Sequence, residues 1–250
     1  MLNRFVTAAI VAGFVAGLLT ATMQNFTTTP LIIEAEKYED TGKQHASHQD
    51  QHVTAGLVKT ALLEVSTGEE AEAWAPQDGL ERIFYTSIAT IGTAFGFALI
   101  LLALMVLAKE KITPRTGLLW GLAAFTATGL APALGLSPEL PGSAAAELAS
   151  RQFWWMGAAM ATAAGLWLTF RVPSSIAFIG GVVLIVAPHI IGAPHPHEFT
   201  SGVPAELAGH FASASLVVHA VMWSLTGGIA GYMWQRSEAA QDSKESAITA

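Results

Sequence analysis

Six stretches of this sequence are too long and too continuously apolar to end in water. They run approximately from Phe5 to Thr27, Phe84 to Ala108, Thr116 to Leu136, Phe153 to Phe170, Ile176 to Ile191 and Gly209 to Trp234. A bilayer core about 30 Å thick needs ~20 apolar residues in a helix, because in lipid only a helix or a closed barrel pairs every backbone N–H and C=O. The pattern predicts an all-α integral membrane protein with about six transmembrane helices. The fifth stretch is the shortest and is closed by Pro188 and Pro194, so a partly re-entrant segment and a count of five stay open. Composition agrees, since 52% hydrophobic and 12% charged residues suit a surface facing lipid.

Basic residues orient the chain. Counting alternate sides of the spans, Arg4, Lys109, Lys111, Arg115, Arg171, Arg236 and Lys244 fall on one side. Lys37, Lys43, Lys59, Arg82 and Arg151 fall on the other, most of them in a long acidic loop. Both termini are therefore expected in the cytoplasm. The first stretch follows Asn3 and Arg4 like a signal peptide, but it exceeds an h-region and lacks a clear A-x-A site, so it reads as an uncleaved anchor. One membrane domain, 1–250, is expected, with an extracytoplasmic loop over 34–82 and a polar cytoplasmic tail over 236–250.

The loop also explains the net charge of −7, because Glu34 to Arg82 holds the whole acidic excess. Nucleic acid is thereby an unsuitable partner. Without cysteine there is no disulfide, thiolate metal site or cysteine nucleophile. No G-x-x-x-x-G-K-[ST] loop is present, so this chain does not power itself through a Walker A site. Nothing points to an enzyme, and no tightly bound organic cofactor is expected.

Gly13/Gly17, Gly92/Gly96, Gly117/Gly121 and Gly227/Gly231 each fit a small-xxx-small helix contact and read as packing. Two segments also end alike. Ala131-Pro132 is followed at six residues by Pro138, and Ala187-Pro188 by Pro194. Ala146-Glu147-Leu148-Ala149 and Ala205-Glu206-Leu207-Ala208 then open the next spans. This suggests a duplicated helical hairpin over 116–171 and 172–235, with chance between Ala/Pro-rich loops as the competing reading. Where the first copy has Ala133 and Arg151, the second has His189 and His210.

All eight histidines fall in, or open toward, the extracytoplasmic half under this topology. His45, His48 and His52 stand at helical spacing in the acidic loop, where they read either as a solvated tract or as ligands sharing one cation. A second cluster on the same side, His195-Pro196-His197-Glu198, favours ligands. His189 and His210 sit at the outer ends of spans five and six. Imidazole with carboxylate suits borderline divalent metals such as cobalt, nickel and zinc, while the missing cysteine disfavours thiolate zinc and copper(I). Only His219 lies deeper, as a stop on a path or a packing contact. On one ideal helix His210 and His219 point to opposite faces about 13 Å apart along the axis, so they do not share one coordination shell. Met23, Met156, Met160 and Met222 read as core filler, and the tryptophans near span ends as an aromatic belt.

Several segments resemble the probable cobalt transporter subunit CbtA family. They are Pro30-Leu31-Ile32-Ile33-Glu34-Ala35-Glu36-Lys37-Tyr38-Glu39, the loop end Trp74-Ala75-Pro76-Gln77-Asp78-Gly79-Leu80-Glu81-Arg82, Ser137-Pro138-Glu139-Leu140-Pro141-Gly142, and Ala187-Pro188-His189 with Gly192-Ala193-Pro194. The resemblance implies a bacterial cytoplasmic-membrane subunit that imports cobalt for cobalamin synthesis beside a small single-span, histidine-bearing CbtB partner. The family is described with five spans, one fewer than counted here. The reading that follows is metal uptake. External histidines with Glu34, Glu36, Glu198 and Glu206 gather a divalent cation, which passes inward beside spans five and six. A homo-oligomer is compatible with it. A metal sensor or storage protein is the main alternative, and a haem protein using His189 and His210 as axial ligands a further one.

Overall fold

A computed structural model of the chain describes residues 2–38, 76–196 and 201–249. Every apolar stretch is helical. α1 is Leu2–Phe26, and after a turn at Thr27 residues 28–38 form a second helix, α2, where the sequence suggested loop from Glu34 onward. α3 is Leu80–Leu107 and α4 is Pro114–Phe125, continued by a π-helical turn, Thr126–Leu130, and a last α-turn, Ala131–Ala133. α5 is Leu148–Arg171, α6 Ser175–Ile191 and α7 Ala205–Thr249, which carries helix through most of the expected polar tail. α1, α3 and α7 are long and apolar enough to cross a membrane, and α6 is a shorter apolar helix. Large side chains such as Phe14, Leu107, Phe170, Ile179 and Ile190 are exposed, as on a surface made for lipid.

Local chemistry sets the helix ends. α4 starts with a reciprocal cap between Thr113 and Thr116, with Pro114 in the first turn, where a missing N–H is harmless. Glu147 caps α5 by accepting from the N–H groups of Ala149 and Ser150, at 2.9 and 2.7 Å. Hydrogen bonds from Ser150 are the main cause holding its carboxyl below the ordinary range. α6 is a single continuous helix through Pro188 that stops at Gly192, whose φ of 87° is open to glycine.

In lipid, apolar side chains gain nothing by meeting each other rather than acyl tails, so helices associate where small residues let backbones touch. α4 and α7 show this most strongly. A Cβ on Gly117 would lie 2.1 Å from the Gly227 carbonyl oxygen, and one on Gly121 would lie 2.3 Å from that of Trp223. α1 and α3 meet likewise, with Gly13 against Phe95 and Gly17 against Ile91. Gly92 and Gly96 have no neighbour within 4 Å where a Cβ would stand, so that expected pair is unused among the described residues. The unexpected pair is Gly165 with Gly181, joining α5 to α6.

These contacts run antiparallel and give two groups. α1, α3, α4 and α7 form a four-helix core, and α5 with α6 forms a second pair resting on the end of α4. One end is basic. There Arg4 lies 4.2 Å from the Trp234 ring centroid and pairs with Glu238 at 3.3 Å, while Arg171 pairs with Glu110. At the other end Ala35, Leu140 and Val203 form a small buried cluster tying α2 to both connecting loops. Arg82 joins α3 to α2 by pairing with Glu36, and also with Asp78 at 2.7 Å.

Gly117→Ala is expected to lower thermal stability in detergent, by about 1–3 kcal/mol for a methyl forced against backbone. Gly92→Ala, with open space around it, should leave the midpoint unchanged or slightly raised. Equal effects would show that the α4–α7 contact is not the tight one.

Candidate functional site

Between the four-helix core and α5 lies a cavity of about 830 Å³, toward the end that carries α2. Its upper wall includes Gln24, Thr28 and Ile32, its sides Ser137, Glu139, Arg151 and Met156, and its floor Gly129, His219 and Met222.

The floor depends on the irregular end of α4. Pro132 has no N–H, and the N–H of Ala131 reaches back five residues to the Thr126 carbonyl. The Ala127 carbonyl is left without the donor an α-helix would give it, and the helix widens there. Gly129 sits in the widened turn because a Cβ would stand 2.8 Å from His219 Nδ1 and 3.0 Å from the Phe125 ring. The His219 ring lies roughly parallel to Phe97, with centroids 6.3 Å apart, and edge-on to Phe125 at 5.9 Å. Its Nε2 accepts a hydrogen bond of 2.9 Å from the Trp223 indole N–H. Trp223 in turn stacks on Phe97 at 3.8 Å and 7°, one turn nearer the basic end, and is buried. The bottom of the cavity is thus an oriented imidazole above an aromatic plug.

The rim carries charge in neutralised form. Glu139 pairs with Arg151 at 2.5 Å, so its carboxylate enters the cavity already balanced. The Gln24 side-chain carbonyl accepts from the Thr90 hydroxyl at 2.8 Å, which fixes the amide against the wall.

The other sequence-nominated residues are dispersed. His189 packs edge-on to Trp154 between α5 and α6, and its Nε2 is buried without a hydrogen-bond partner among the described residues. His210 and Glu206 are exposed on the first turns of α7, and His195 is exposed after α6. Glu34 pairs with Lys37 at 2.6 Å and Glu36 with Arg82, so neither acid is a free ligand. His45, His48, His52, His197 and Glu198 lie outside the described residues. Among the described residues, no three His, Asp or Glu side chains converge as a metal site.

Beside the nominated His219, the cavity draws on Ser215, which no motif marked, and on Met222, which read as core filler. Ser215, His219 and Met222 stand at spacings of four and three on α7 and line one wall, a stripe that was legible. Gly129 three residues before Pro132 was the trace of the π-turn.

The segments that define this cavity and its rim are covered by one family model, described as probable cobalt transporter subunit (CbtA), which matches residues 2–235. The chain belongs to the CbtA family. No curated protein and no solved structure matches it. As a CbtA chain it is one subunit of a transporter, and the segments that resembled the family have structural work in this fold. In Ser137–Gly142, Glu139 holds Arg151, Leu140 fills the cluster beside α2, and Gly142 turns the chain at φ 78°. In the segment before the acidic loop, Ala35 packs in that cluster and Glu36 holds Arg82.

A double-mutant cycle on Glu139→Gln and Arg151→Gln is expected to show a coupling of about 1 kcal/mol in unfolding free energy, since the pair is only partly screened by solvent. Strictly additive effects would remove this pair from the scaffold of the rim.

Proposed function

We propose that this chain is the membrane-spanning subunit of a divalent-cation uptake system, with cobalt as the main cargo and nickel or zinc as chemically related ones. The observation that carries the reading is the cavity itself. It starts under the segments next to the histidine-bearing loops and ends on an imidazole in the middle of the bundle. All six long helices cross the bacterial cytoplasmic membrane, and the basic end faces the cytoplasm, as the distribution of Lys and Arg supports.

In this scheme His45, His48, His52, His195, His197 and Glu198, with His210 and Glu206 at the start of α7, raise the local cation concentration at the mouth. Glu34 and Glu36 act indirectly, by holding Lys37 and Arg82. His189 steadies the α5–α6 pair against Trp154. Inside, the walls offer hydroxyl, amide and thioether groups and one balanced carboxylate. A 2+ ion there meets many weak partners and no strong trap, which is what passage requires. The driving force comes from another subunit or a gradient, and a small single-span CbtB-like protein with its own histidines fits as the partner.

The test is cobalt uptake in cells without other importers, with the partner present and the membrane level of each variant measured. His219→Ala is expected to reduce the maximal rate about tenfold, as for a group that lowers the barrier to passage by one decade. Replacing His45, His48 and His52 together should raise the half-saturating concentration and spare the maximal rate. A His219→Ala protein that takes up cobalt like its parent overturns the route, and metal binding without any uptake favours a sensor or storage role.

A further inference from the structure

The His219–Trp223 pair says more about the floor of the cavity than that a histidine is present. A nitrogen that accepts a hydrogen bond uses its lone pair to do so. Because Nε2 accepts from the Trp223 indole, the single proton of the neutral ring is on Nδ1. That Nδ1–H edge faces Gly129 and the cavity. It presents the positive end of an N–H dipole, which repels a cation.

We infer that Trp223 is a latch on the cavity floor, and that ligation of a cation by His219 must break the Trp223–His219 hydrogen bond. This rests on the cation route proposed above. Either ring nitrogen leads to the same end. Ligation through Nε2 competes with the indole for one lone pair. Ligation through Nδ1 needs the lone pair there, so that proton leaves to cavity water while Nε2 takes one up, and the ring remains neutral with no net proton change. Two N–H donors would then point at each other across 2.9 Å, and the indole must turn away.

The surroundings decide which group moves. Phe97 and Phe125 flank the imidazole and Gly129 stands against its Nδ1 edge, and a ring flip does not restore the bond, because it turns a carbon toward the indole. The backbone of Trp223 is pressed against Gly121 and is fixed as well. The indole side chain is then the part that must move, giving up its stack on Phe97. It occupies the next turn toward the basic end, stacked on Phe97, so its displacement removes the plug beneath the histidine. Trp223 acts through His219, as a positioning residue that couples occupancy of the floor to opening below it.

The experiment is nitrogen-15 NMR of histidine-labelled full-length protein in nanodiscs, with Zn²⁺ as a diamagnetic probe cation. The parent is expected to show His219 as the Nδ1–H tautomer, assigned by its loss in His219→Ala. Adding Zn²⁺ should convert it to the metal-bound, Nε2-protonated form. Trp223→Phe keeps an aromatic ring against Phe97 but has no donor. It should mix the two tautomers of the free ring and bind Zn²⁺ at His219 about tenfold tighter, the equivalent of one neutral hydrogen bond no longer broken. A parent ring protonated at Nε2, or a tautomer and affinity unmoved by Trp223→Phe, overturns the latch. The expected free tautomer with no Zn²⁺ response in either protein overturns the cation route, and the latch with it, while the hydrogen bond itself stands.

Discussion

Two backbones pressed together by the absence of side chains hold this protein's geometry. Where α4 and α7 cross, Gly117 and Gly121 meet Gly227 and the Trp223 carbonyl with no room for a methyl group. In water such a contact would be a minor addition to a hydrophobic core. In lipid it is what distinguishes one arrangement of apolar helices from another. It sets the height of α7 against α4, and so it sets His219 opposite the π-turn and Trp223 under it. Helices two residues out of register would put a Cβ-bearing residue in the turn where Gly129 now clears the imidazole.

The elements legible from sequence were those governed by length and solvent. A run of apolar residues as long as Leu80–Leu107 has no other stable form in a membrane, and the family resemblance was carried by local motifs that survive without a structure. Among the glycine pairs, three were readable as contacts, but Gly92/Gly96 carries the same pattern and meets nothing. The pattern records what a helix permits, and the partner decides whether it is used. Gly165 and Gly181 pack together from two different helices, which no single-helix spacing shows.

The site was less legible for the same reason. Histidines attract attention as ligands wherever they stand, and most of those nominated are dispersed or fall outside the described residues. His219 became informative only through the groups around it: an indole donor, two aromatic faces and a glycine in a π-turn. Glu36 changed meaning in the opposite direction, from a candidate ligand to the partner of Arg82. Charge at the rim follows the same rule, since the Glu139 carboxylate is balanced by Arg151 from the next helix. Under the uptake proposal, the net charge of the loops gathers a cation at the mouth, and a cavity so lined holds it only loosely.

In the uptake proposal this cavity opens to the extracytoplasmic side and is where the cation travels. Because the chain has no cysteine, Ser215→Cys places a single thiol on its wall. Labelling of intact cells with a membrane-impermeant thiol reagent should modify that residue from outside, and added cobalt should slow the modification. A thiol reached only from the cytoplasmic side, or labelled at a rate indifferent to cobalt, would rule this route out.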